Sequence, residues 1–130
     1  MKFLLDSCCY IWILTNDQKN LSKKAREALM SDNSASYISL ISQIEITAKH
    51  SKHKIKGLSQ PIIDYFKQVR IDSGIELLKI EQEDIETMSS LPKIHSDPFD
   101  RLLISQAINN SMTIISPDEK FQKYPVRVLF

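Results

Sequence analysis

The chain is expected to fold as an α/β protein around a mainly parallel sheet of roughly five strands. Three features of the sequence predict this. Short apolar runs ("KFLL", "SASYIS", "GIELLKI", "MTIIS", "VRVLF") recur along the chain, each of strand length and apolar enough to be covered on both faces. Between them lie segments whose apolar residues repeat at helical spacing, the alternation that builds a parallel sheet through crossover helices. Asp6 directly follows the first of these runs and Asp118 lies three residues beyond Ile115 in the fourth, at the edge where open α/β sheets place their ligands.

Taken in order, "KFLL" (Lys2 to Leu5) is the first strand and ends at Asp6, and "SCCYIWILTN" begins a short helix. In "LSKKAREALMS", Ser22 is a helix N-cap followed by Ala25, Ala28 and Leu29 in phase. "SASYIS" is the second strand, with a helix from about Leu40 to Ser51 and Gly57 as a stop nearby. "QPIIDYFKQVRI" carries Ile62, Ile63, Phe66, Val69 and Arg70 in helical phase with Pro61 in the first turn. "GIELLKI" is the third strand and "EQEDIETMSSL" an acidic-headed helix. A helix starting in "HSDPFDRLLISQA" runs to about Asn110. "MTIIS" is the fourth strand, "PDEKFQKY" a turn or short helix, and "VRVLF" the fifth strand.

At 130 residues the chain is expected to form a single domain, residues 1–130, large enough for its own core. Its 42% hydrophobic and 25% charged residues are those of an ordinary soluble protein, and 2 glycines and 5 prolines exclude collagen-like and low-complexity classes. The net charge is +1, from 17 basic and 16 acidic residues, so no global field drives association with nucleic acid or membrane. The charges are nonetheless segregated. "KHSKHKIK" (Lys49 to Lys56) has no acid, while "EQEDIE" (Glu81 to Glu86) has no base. Asp6 breaks the N-terminal apolar run and no small-residue cleavage site comes after it, unlike a signal peptide. No window reaches the length of a membrane span. Cys8 and Cys9 are adjacent, which argues against a disulfide framework. The expected location is the cytoplasm.

Several acids have local uses as well as chemical ones. In "SDPFDR", Asp97 suits an N-cap, Pro98 the first helical position and Asp100 the positive end of the helix dipole. Ser42 and Glu45 fit a capping box, whereas a start at Ser39 would put Glu45 inside the helix. Asp118 fits a turn. Asp6 either caps the next helix or serves a site, because a carboxylate between "FLL" and "CCYIWIL" is expensive without compensation. Carboxylates converging on one sheet edge repel one another and raise their pKa values unless a cation joins them. Hard divalent ions take such oxygen donors, and acid clusters of this kind serve metal-assisted phosphodiester cleavage.

On "FLLDSCCYIW", "SLISQIEITAK", "HSDPFDRLLISQA" and "IISPDEKFQKYPVRVL", in that order along essentially the whole chain, the protein resembles the PIN-domain ribonucleases. Within them it is most similar to the VapC-type toxins of toxin–antitoxin pairs. The resemblance implies a three-layer α/β/α fold and puts the family's four acidic positions on Asp6, Glu45, Asp100 and Asp118. Asp6, Asp100 and Asp118 would hold one or two Mg²⁺ or Mn²⁺ ions. Glu45 would join them or act instead on a water, as general base or by orienting it. Asp97 is an additional acid, capping or supporting the site, and Ser7 and Ser116 match small hydroxyl positions that orient a carboxylate or water. Ile44 stands where a Trp is frequent, and Ser7-Cys8 where Thr-His is usual.

The implied activity is metal-dependent endoribonucleolytic cleavage of structured RNA, transfer RNA above all, leaving 3′-hydroxyl and 5′-phosphate ends and inhibiting translation. The implied partners are a cognate antitoxin, the RNA substrate and a second copy of the chain in a homodimer, with no membrane. Lys49, Lys52, Lys54 and Lys56 are either an RNA-backbone contact or a solvated helix end. Trp12, Tyr37, Tyr65 and Phe66 are expected in the core or an interface. His50, His53 and His95 lack metal-site spacing with the cysteines and are expected at the surface, and Cys8 is expected as a packed thiol. Two rivals remain: a catalytically silent PIN-like module that binds RNA or protein, and a phosphatase using Asp6 as nucleophile. Against the second, Cys8 stands where a haloacid-dehalogenase-type enzyme needs a second Asp.

Overall fold

The computed structural model describes residues 1–58 and 61–130. Gln60, which opens the segment expected to form the fourth helix, lies outside them. Five strands, β1 (Lys2–Leu5), β2 (Ala35–Ser39), β3 (Ile75–Leu78), β4 (Thr113–Ile115) and β5 (Arg127–Leu129), form one sheet in the order β3-β2-β1-β4-β5. Every neighbouring pair is parallel, as expected where each connection is long enough for a crossover. The described residues also form α1 (Ser7–Leu14), α2 (Lys23–Met30), α3 (Leu40–Ser51), α4 (Ile62–Asp72), α5 (Gln82–Ser90) and α6 (Pro98–Asn109). None of these helices is long and apolar enough to cross a membrane.

Alternate residues of the strands feed two separate cores, which makes the architecture three layers. Phe3, Leu5, Ile38 and Ile115 face Cys9, Tyr10 and Leu14 of α1, Ala25 of α2, Ile46 of α3 and Phe66 of α4. Leu4 and Ile114 face the other way, against Leu91, Leu103, Ile104 and Ala107 at the end of α5 and along α6. In the first core the Tyr10 and Phe66 rings pack with centroids 4.7 Å apart and planes tilted by 58°, and Tyr10 donates its hydroxyl to the Phe66 carbonyl at 2.8 Å, so a buried polar tip is satisfied.

The register sets where the chain emerges from each strand. Leu5 of β1 lies level with Ile38 of β2 and with Ile115 of β4. Asp6, Ser39 and Ser116 are each the next residue, so all three emerge at one edge of the sheet. Connections leave β1 toward β2 on one side and β4 lies on the other, the switch in strand order beyond which α/β proteins bind ligands.

Several helix boundaries differ from expectation for backbone reasons. Pro61 is the N-cap of α4, one residue before its first turn. Gly57 does not stop α3, whose C-cap is Lys52; the residue after the cap, His53, takes the left-handed conformation instead, with φ 55°. Asn16 after α1 and Ser111 after α6 do the same, and only α4 uses a glycine, Gly74, at that position. "PDEKFQKY" contains a 3₁₀ turn, Glu119–Lys123, and a second one, at Gln18–Asn20, adds to the elements expected from the sequence.

Most of "DPFDRLLISQA" has a structural task. Arg101 donates to the carbonyls of Pro92 (3.0 Å), Met88 (2.9 Å) and Leu91 (3.4 Å), closing the end of α5. Gln106 is fully buried. Its Oε1 accepts from Ser39 Oγ at 2.6 Å and its Nε2 donates to the Lys79 carbonyl at 3.1 Å, tying α6 to the ends of β2 and β3. Replacing Gln106 with Ala leaves the buried Ser39 hydroxyl without its acceptor, beside a small cavity. A loss of about 2–4 kcal/mol in folding free energy is expected by urea denaturation, against less than about 0.5 kcal/mol for Gln68→Ala on the exposed side of α4.

Candidate functional site

The site begins where β1 ends. Asp6 continues the ladder, its backbone N–H donating to the Ile115 carbonyl at 3.0 Å, and its side chain then caps α1. Oδ1 accepts from Ser7 N at 2.7 Å, and Oδ2 accepts from Ser116 Oγ at 2.8 Å and Cys8 Sγ at 3.3 Å. With the residue only 9% exposed, these donors supply much of the compensation that a buried carboxylate needs. Cys8 is thus a half-buried thiol touching Asp6, while Cys9 is buried in the core; both are free.

Ser7 links Asp6 to Glu45. Its hydroxyl lies 2.9 Å from Ser42 Oγ and 3.1 Å from Glu45 Oε1, and its backbone N–H is the one bound to Asp6. Helix α3 is capped by Ser39, whose Oγ accepts from Ile41 N at 3.0 Å. Glu45 therefore stands inside the helix and projects toward α1, and Ser42 makes no capping box with it. Burial raises the Glu45 pKa; the Ser7 hydrogen bond and Lys49 oppose the rise, and Asp6 and Asp97 add to it.

The opposite wall comes from α6. Asp97 is the N-cap, its Oδ1 accepting from Phe99 N at 2.9 Å, Pro98 is at the first position, and Asp100 lies in the first turn. Burial is the main cause that pushes Asp100 up to about 6, reinforced by Asp97, Asp6 and Glu45 and opposed by His95. Past β4, Ser116 Oγ accepts from Asp118 N at 3.0 Å while donating to Asp6, so one hydroxyl joins the first and last acids. Asp118 caps the 3₁₀ turn through Lys120 N at 3.0 Å.

His95 is the residue that sequence reasoning missed. Expected at the surface, its side chain is only 13% exposed and its Nε2 lies 2.8 Å from Asp100 Oδ2. The available signal is its place two residues before the cap Asp97 and five before Asp100, close enough along the chain for the ring to reach the first turn of α6. Ligand atoms of His95, Asp100 and Asp118 come within 4.8 Å of one another. Asp6 and Glu45 stand beside this trio, joined to each other by Ser7 and to Asp100 by electrostatic repulsion. Several carboxylates, two of them already reluctant to ionise, make a donor set that fits a hard divalent cation.

Three of the four lysines singled out in the sequence come together. Lys49, Lys54 and Lys56 line a cleft of about 490 Å³ with Ile11 and Trp12, and Lys52 is not among its lining residues. Lys49 is also the cation that acts on Glu45, so the cleft adjoins the acidic site.

The model of the PIN domain family matches residues 3–126 of the chain. No curated protein sequence matches it. Among solved structures it is similar to VapBC2 from Rickettsia felis bound to a promoter DNA fragment, with TM-score 0.70 and 18% identity over 99% of this chain and 98% of that one. DNA-bound VapBC from Salmonella typhimurium gives TM-score 0.68 and 20% identity over 99% and 97%. FitAcB from Neisseria gonorrhoeae gives TM-score 0.60 and 16% identity over 98% and 96%.

The raised Asp100 pKa has a consequence for stability without metal. Unfolded, the carboxyl titrates near its ordinary 3.8, and folded near 6. Its contribution is fully present below about pH 3.8 and is lost as pH rises through about 6. In EDTA, Asp100→Asn should therefore be more stable than the parent at pH 7.5, by about 1–2 kcal/mol once solvent screening is allowed for. The two should be equally stable near pH 3.5. Urea denaturation at the two pH values checks this, and equal stability at pH 7.5 would show that Asp100 is neither desolvated nor crowded by its neighbours.

Proposed function

The chain belongs to the PIN domain family, and from that membership we propose that it is a divalent-metal-dependent endoribonuclease, the toxin of a VapC-type toxin–antitoxin pair. The observation that carries the proposal is the gathering of acids from four separate segments at one sheet edge, where burial first and then the neighbouring acids push Asp100 up to about 6. Such repulsion is costly in a fold unless a cation relieves it. Its persistence favours an active nuclease over a silent binding module.

In this reading Asp100 and Asp118, with Asp6, hold one or two Mg²⁺ or Mn²⁺ ions. The ion would lower the pKa of a water and offset charge on the phosphate during in-line attack. Asp6 is oriented by hydrogen bonds from Ser7, Ser116 and Cys8. Glu45, with its raised affinity for a proton and its place across the site, orients the attacking water or accepts its proton. Ser116 keeps Asp6 and Asp118 at a constant spacing, and Asp97 starts the helix that aims Asp100. An Asp6 nucleophile, as in a phosphatase, is disfavoured because Cys8 stands where that chemistry needs a second Asp.

The substrate in this reading is structured RNA, transfer RNA above all, and its cleavage stops translation in the cytoplasm. Lys49, Lys54 and Lys56 carry phosphate contacts away from the acids, and Lys52 contributes charge beside them. A cognate antitoxin restrains the enzyme, consistent with neighbours that are themselves toxin–antitoxin complexes. A homodimer through the exposed apolar side of α3, where Ile44 and, from α4, Ile63 are half-exposed, completes the assembly.

The purified, antitoxin-free chain incubated with total RNA and Mg²⁺ or Mn²⁺ should give discrete fragments. EDTA should abolish them, and Asp118→Asn should lower the rate by more than the 10–100-fold typical of losing a residue behind a ligand. Cleavage that survives both points to other chemistry. Replacing Lys49, Lys54 and Lys56 together with Ala should weaken RNA binding and flatten its salt dependence by roughly 2 logarithmic units per decade, at about 0.7 per neutralised phosphate. An unchanged salt slope would remove the lysines from the interface.

A further inference from the structure

The histidine beside Asp100 is held through its backbone and through both ring nitrogens, and the contact at Nδ1 decides which nitrogen carries the proton. The backbone N–H of His95 donates to Tyr124 Oη at 2.7 Å, and Tyr124 is buried in the core beneath α6. The ring's Nδ1 accepts the backbone N–H of Asp97 at 3.3 Å. A backbone N–H is always a donor, so Nδ1 must offer its lone pair and the proton sits on Nε2. That Nε2 faces Asp100 Oδ2 at 2.8 Å.

We propose that His95 is a positioning residue: it holds Asp100 through an Nε2–H donor and so presents the other carboxylate oxygen to a bound divalent ion, without being a ligand itself. Direct ligation would need the Nε2 lone pair, which moves the proton to Nδ1 and sets it against the Asp97 N–H, donor facing donor. The proximity of His95 to Asp100 and Asp118 therefore describes two ligands and the group that orients one of them. Asp97 acquires a second task by this route, since its backbone fixes the tautomer while its side chain caps the helix. Outer hydrogen bonds of this kind orient ligating carboxylates and strengthen metal binding.

The proposal rests on the reading of Asp100 as a metal ligand, and its test separates the two. Mn²⁺ binding to the full chain would be measured at pH 7.5 by the disappearance of the free-ion electron paramagnetic resonance signal. His95→Ala should weaken Mn²⁺ binding by about 10–100-fold with circular dichroism unchanged. His95→Gln, whose amide can donate to Asp100, should recover most of the loss. Electron spin-echo spectra of Mn²⁺ on the unsubstituted chain should show no directly coupled nitrogen, a measurement that decides the matter even if the alanine variant does not fold. Unchanged affinity in His95→Ala, or a coupled imidazole nitrogen, overturns the positioning role, the latter by making His95 a ligand. Failure of the unsubstituted chain to bind Mn²⁺ overturns the ion site itself and the proposal with it.

Discussion

The parallel register of three central strands is the constraint on which everything else depends. Because Leu5 stands level with Ile38 and Ile115, the chain leaves β1, β2 and β4 at one height, and the residues that begin the next elements share an edge. A slip of two residues in β4 would keep its apolar faces correct and its core filled. It would also carry Ser116 and Asp118 some 6–7 Å along the strand, away from Asp6. The core tolerates such a change far better than the site does, so the hydroxyl of Ser116, hydrogen-bonded to both Asp6 and Asp118, acts as a register pin.

Three of the acids have local compensation. Asp6, Asp97 and Asp118 all cap the element after them, so their negative charge meets unsatisfied backbone N–H groups and the positive end of a helix or turn. Asp100 and Glu45 cap nothing, and burial raises the proton affinity of both. Structural and chemical uses of a carboxylate are therefore not alternatives here. The capping acids are positioned by the fold, while the two uncapped acids hold the unfavourable energy that a cation can release.

Much of this is legible in the chain itself. Apolar runs locate all five strands, and the alternation with amphipathic segments predicts the parallel sheet. Asp97, Pro98 and Asp100 occupy the helical positions their chemistry suggests. The features that escape a reading of the sequence depend on contacts between distant segments or on backbone conformations without a residue signature. His53, Asn16 and Ser111 end helices in the left-handed region usually marked by glycine. The choice between Ser39 and Ser42 as cap of α3 turns on Gln106, 67 residues further on, which engages Ser39, and on Ser7, which engages Ser42. His95 lacks a metal-site spacing with the cysteines, and its role comes instead from hydrogen bonds to a backbone N–H and a carboxylate within five residues of it.

If the crowded carboxylates activate water against a phosphodiester, the fate of that water's oxygen is the most direct reporter. RNA cleaved by the purified chain in ¹⁸O-enriched water would be examined by mass spectrometry at its new ends. The account predicts 3′-hydroxyl ends and 5′-phosphates carrying one solvent oxygen. Ends bearing 2′,3′-cyclic phosphate, with no oxygen taken from solvent, would mean that the RNA's own 2′-hydroxyl attacks and would contradict it.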